Sequence, residues 1–205
     1  MTRDVVLVPG LWMPAMAMTL LALRLAHSGY VPHVFAYKGR SPLEGNAGRF
    51  ARFARETLAG RPAHFVGHSL GGILVLQALN MYDDLPVASA VLLAAPVRGC
   101  LAGRRLASAR FGRWMMGACG ELWHEHEARW KRTAPLGVIA GTLPVGLGCA
   151  FGGLPDPNDG VVRVEETGVE GMTARALVPL GHSLIIVSGA VGKLVERFMS
   201  GGRFE

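Results

Sequence analysis

Hydrophobic positions along this chain follow two alternating periods. Short apolar runs at residues 5–8 (largely β-branched), 31–37, 64–66, 90–94, 138–140 and 174–178 read as strands. Pro9-Gly10 closes the first run, and Gly39, Ser41 and Pro42 mark the turn after the second. Between the runs lie stretches with helical spacing: 15–27, 46–59, 70–81 and 185–199. In the second of these, Phe50, Phe53, Ala54 and Leu58 share one face. Strand and helix in strict alternation specify an α/β protein, a mostly parallel sheet of about six strands with helices on both faces.

Residues 96–135, between the fourth and fifth strands, break this rhythm. Ala107, Phe111, Trp114, Met115 and Ala118 recur at the spacing of one helical stripe, while Arg104, Arg105, Ser108, Arg110 and Arg113 lie mostly off it. A second helix is predicted over 121–131. Two readings stay open: a helical pair packed on the body, or a lid-like insertion whose arginines meet an anionic surface. With 205 residues and no repeat or linker, the chain reads as one domain, 1–205, carrying this insertion at about 96–135.

Composition narrows the class. Half of the residues are hydrophobic and 18% are charged, which excludes a disordered chain. The net charge of +6 concentrates between Arg98 and Arg132, where eight basic residues face three acidic ones. No nucleic-acid motif accompanies that charge, so the expectation is no nucleic acid, and instead peripheral contact with an anionic membrane or an acyl carrier. Cys100, Cys119 and Cys149 are few, odd in number and unpatterned, as in a reduced, cytoplasmic protein. The apolar stretch from Leu11 to Ala26 carries Arg24 and is shorter than the ~20 residues that span a bilayer, so it reads as a buried first helix.

The candidate chemistry begins at Gly67-His68-Ser69-Leu70-Gly71, a G-x-S-x-G pattern with a strand running in and an apolar helix running out. That context is the one in which a serine is lifted onto a sharp turn as a nucleophile. Three histidines follow Ser69. His124 and His126 stand two apart, facing different sides of a helix, and read as solvated residues rather than a metal pair. His182 falls just past the sixth strand, at the sheet edge where Ser69 also lies. For the acid, Asp83 and Asp84 end the helix that starts at Ser69, roughly 18 Å away at 1.5 Å per residue. Asp156 and Asp159, in the loop after the fifth strand, remain, with Glu165 and Glu166 behind them.

These motifs resemble the α/β-hydrolases, and the compact length is similar to that of small bacterial lipases without a large cap. Residues 5–12 resemble the family's oxyanion strand and loop, although Pro9-Gly10 stands where many members have His-Gly. Residues 67–72 resemble the elbow, Asp159-Gly160-Val161-Val162 the acid loop and Gly181-His182-Ser183 the histidine loop. The resemblance implies a triad of Ser69, His182 and Asp159, with Asp159 preferred over Asp156. It also implies oxyanion donors at the backbone N–H groups of Leu11 and Leu70, and no cofactor or metal. Trp12, Met13 and Met16 follow the oxyanion loop and are candidates to line an acyl pocket. The expected activity is hydrolysis of a small-molecule acyl ester. A thioesterase or acyltransferase would use the same triad, and a non-catalytic binding module is the rival from another class.

Overall fold

The computed structural model describes residues 2–124, 127–146 and 153–205. Six parallel strands form one sheet: β1 (Asp4–Val8), β2 (Val31–Val34), β3 (Ala63–His68), β4 (Val87–Leu93), β5 (Leu136–Gly141) and β6 (Ala174–Val178). Their order is β2-β1-β3-β4-β5-β6. The chain therefore winds outward from β1 to β2, returns across β1 to β3, and winds the other way to β6. The reversal falls between β1 and β3, and open sheets of this kind bind ligands beyond the carboxyl ends of their strands at such a point.

Side chains on the buried strands sort by the two-residue period. Val6, Val8, Phe65, Leu92 and Val138 face one core, with helices α2 (Leu43–Leu58) and α3 (Leu70–Met81). Val5, Leu7, Val66, Val91, Leu93 and Ile139 face the other, with α1 (Thr19–His27) and α6 (Gly189–Gly201). The central strands are apolar on both faces because both faces are covered.

Several predicted elements differ in detail. The second strand ends at Val34, three residues early, although the Phe35 amide still donates to Leu7 O. The first helix opens as a 3-10 turn, Ala15–Met18. It is buried only along Met18, Leu21 and Leu25, with Leu20 and Leu23 exposed. The last predicted helix divides into a 3-10 turn, His182–Val187, and α6, whose first turn is capped by Ser188 Oγ accepting from Val191 N. The predicted single stripe over 107–118 is broken: α4 (Leu101–Ser108) and α5 (Arg110–Met116) meet at Ala109, which is extended at φ −84°, ψ 143°. A 3-10 segment, Gly117–Trp123, follows in place of the helix expected from residue 121. Residues 125–126 of that predicted helix, with His126, lie outside the described residues, and Arg129 instead bridges to Glu170. His124 is exposed. Cys149 lies outside the described residues, and Cys100 and Cys119 are buried free thiols. Among the described residues no helix is long and apolar enough to cross a membrane.

Candidate active site

Ser69 sits between β3 and α3 at φ 53°, ψ −124°, a backbone region that non-glycine residues avoid at a cost of about 1–3 kcal/mol. The turn is possible because its neighbours are glycines. A Cβ on Gly67 would collide with the Gly71 carbonyl, and one on Gly71 with the carbonyls of Val8 and Pro9. The start of α3 thus rests directly on the end of β1. The Ser69 amide donates to Leu93 O at 2.9 Å, tying the elbow to β4 as well.

Two loops from the same sheet edge converge on this serine. His182 Nδ1 donates to Asp159 Oδ2 at 2.8 Å, which leaves Nε2 as an acceptor facing Ser69 Oγ at 3.0 Å. The histidine's own amide donates to Asp159 O at 2.9 Å, so the two loops are joined twice. Asp159 is buried, and its other oxygen accepts from the amides of Val161 and Val162 at 3.0 and 2.7 Å. Asn158, also buried, holds the acid loop by donating to Leu154 O, Pro155 O and Asp156 Oδ1 and accepting from the Gly160 amide.

The other acid candidates are engaged elsewhere. Asp156 accepts from Asn158. Glu165 pairs with Arg163. Glu166 is buried against Arg163 and accepts from the amides of Leu101 and Arg163, a structural tie for the start of α4. Asp84 pairs with Arg55 on the outer surface.

Beside Ser69 opens an apolar cavity of about 590 Å³. Leu11, Trp12 and Met13 line one side, while Met16 points to solvent at 75% exposure and lines no part of it. Among the described backbone hydrogen bonds none uses the Leu11 or Leu70 amide. The opposite wall comes from the segment after β4: Cys100, Gly103, Leu106, Met116 and Trp123. The Trp123 indole lies against Gly103, where a Cβ would meet the ring at 2.8 Å, and its N–H donates to Met116 Sδ at 3.0 Å. Burial pushes the Cys100 thiol up to about 12, so it lines the wall as a neutral thiol, its Sγ accepting from the Gly103 amide at 3.3 Å.

His68 is a site residue that sequence reasoning left unexamined. It is fully buried behind Ser69, its ring centroid 4.8 Å from that of His182. Its Nε2–H donates to the His182 carbonyl at 3.1 Å, and Nδ1 is buried with no partner among the described residues. Burial first, and the adjacent His182 second, push its pKa down to about 3. A neutral ring therefore ties the elbow to the histidine loop. Its place directly before the serine was the available signal. Among the described residues no group of three His, Cys, Asp or Glu side chains is arranged to hold a metal ion.

Solved structures with this architecture include the Bacillus licheniformis lipase BlEst2. Its mature form matches with a TM-score of 0.77 at 18% identity, covering 97% of this chain and 91% of that one. The propeptide form matches with a TM-score of 0.83 at 19% identity, but this chain spans only 50% of its length. The metagenomic carboxyl esterase MGS0156 matches with a TM-score of 0.68 at 20% identity, over 89% of this chain and 65% of that one. At these identities the likeness is one of fold. No curated protein matches the sequence. Residues 5–159, from β1 through the elbow to Asp159, match the Alpha/beta hydrolase family, and the chain belongs to that family.

Proposed function

We propose that this hydrolase cleaves carboxylic esters with an apolar acyl group, using Ser69 as nucleophile, His182 as general base and acid, and Asp159 to orient the imidazole. The observation that carries the reading is the unbroken line from Asp159 Oδ2 through both nitrogens of His182 to Ser69 Oγ, at 2.8 and 3.0 Å, on the wall of an apolar cavity. A neutral serine hydroxyl attacks slowly. As Oγ bonds to the ester carbonyl carbon, its proton passes to His182 Nε2, and the buried carboxylate stabilises the resulting imidazolium. In this reading the charge that gathers on the oxygen of the tetrahedral intermediate is met by the Leu11 and Leu70 amides, the latter at the start of α3. His182 then gives its proton to the departing alkoxide. The acyl group remains on Ser69 until water, deprotonated by the same histidine, releases the acid.

The apolar wall supports an acyl rather than a polar substituent at this site, and the names lipase and carboxyl esterase among the structural neighbours agree with that chemistry. The test is a panel of p-nitrophenyl esters of increasing acyl length beside the matching acyl-thioesters. Turnover of the esters, lost in Ser69→Ala, is expected. Turnover confined to thioesters would move the activity to a thioesterase, and ester turnover surviving in Ser69→Ala would overturn the assignment.

A further inference from the structure

The exposed aromatic pair on α5 is the feature that ester hydrolysis leaves unused. Phe111 and Trp114 were expected either to pack on the body or to rest on an interface. They are 68% and 65% exposed, their rings stacked at a centroid distance of 5.8 Å. Their helix is held from beneath by Met116 and by the indole N–H of Trp12, which donates to Met115 O at 3.1 Å. The aromatic patch thus adjoins the cavity, whose wall residues Trp12, Val145 and Leu184 are also exposed at 46%, 64% and 51%. Adjoining apolar groups of this size left in water mark an interaction surface.

Charge indicates what covers it. Residues 101–116 contain four arginines and no aspartate or glutamate. Arg110 and Arg113 are exposed on α5 beside the aromatics. Arg113 donates to the carbonyls of Ala107 and Ser108, which fix its position without neutralising it. Arg40, from the loop after β2, lies with its guanidinium 5.1 Å from the Trp114 ring centroid and donates to Trp114 O. Aromatic rings set among cations match the boundary between lipid headgroups and acyl chains.

We propose that this face docks onto an anionic lipid surface, with Phe111 and Trp114 entering the headgroup boundary and Arg40, Arg110 and Arg113 held at lipid phosphates. An acidic soluble carrier would satisfy the arginines but gives no reason for two bare aromatic rings beside them. The arrangement also sets the cavity mouth against the surface, so an apolar acyl group passes into it without crossing water.

The test is co-sedimentation of the full chain with phosphatidylcholine vesicles, with and without phosphatidylglycerol, at low and high salt. Binding to the anionic vesicles alone is expected, and it falls as salt rises because screening shortens the reach of exposed charge. Arg110→Gln with Arg113→Gln is expected to weaken it roughly 25-fold, at about fivefold per arginine. Phe111→Ser with Trp114→Ser is expected to abolish it. Both double variants should keep soluble-ester turnover, which certifies their fold, and Ser69→Ala should bind vesicles fully, which separates docking from chemistry. Protein left in the supernatant with anionic vesicles at low salt, equal binding to neutral vesicles, or binding to an acidic acyl carrier protein without binding to vesicles would each overturn the proposal.

Discussion

At the residue scale the account turns on how each polar group near Ser69 is used. Asp159 has one oxygen committed to two backbone amides and the other to His182, so it holds the imidazole with Nε2 bare. In Asp159→Asn the amide presents a donor where Nδ1–H must be received, favouring the wrong tautomer. The expected outcome is a fall in kcat of about 10³–10⁴ in steady-state ester kinetics. Asp156→Asn keeps an acceptor oxygen for Asn158 and is expected to cost less than about tenfold. A larger loss for Asp156→Asn would transfer the acid role to it. His68 shows the limit of reading residues one at a time. The G-x-S-x-G pattern leaves its second position open, and only the folded chain reveals that its ring is buried against His182.

At the element scale, what could be read from the sequence followed periodicity and turn chemistry. The central strands β1, β3, β4 and β5 were legible because buried parallel strands are short apolar runs, and α3 because it starts at the elbow and buries nine of its residues. The line from Asp159 through His182 to Ser69 was legible because Ser69 directly follows β3 and the other two residues stand in the loops that follow β5 and β6. The segment after β4 was not. Its stripe at 107–118 is continuous in sequence, but Ala109 is extended, so Ala107 belongs to α4 and Phe111 to a helix turned away from it. That break is set by contacts distant in sequence, such as Arg40 on Trp114 and the Arg40 carbonyl on the Ala118 amide. The cavity wall was missed for the same reason. Gly103, Met116 and Trp123 are spaced across two helices and a 3-10 segment, and only folding places them together. An engineered 150 Å³ cavity holds a benzene, so this one, at about 590 Å³, has room for roughly four such groups. Because Trp123 fills part of the wall, Trp123→Leu is expected to shift the preferred p-nitrophenyl ester toward longer acyl chains. An unchanged chain-length profile in a folded Trp123→Leu would mean that the acyl group lies elsewhere.

At the scale of the whole molecule, the winding of the sheet explains why residues 69, 159 and 182 meet. The order reverses between β1 and β3, leaving a crevice at their carboxyl ends, and parallel strands deliver every following loop to the same edge. The first strand supplies Leu11, the third Ser69, the fifth Asp159 and the sixth His182, while the segment after β4 roofs the cavity. One geometry thus joins an apolar cavity to a serine aligned with an acceptor nitrogen, and its central claim is that this serine is the nucleophile. The most direct measurement is intact mass of the protein after reaction with a fluorophosphonate, followed by peptide mapping. The account predicts one covalent adduct, located on Ser69, absent from Ser69→Ala and strongly slowed in His182→Ala. An unlabelled protein, or an adduct that persists in Ser69→Ala, would contradict it.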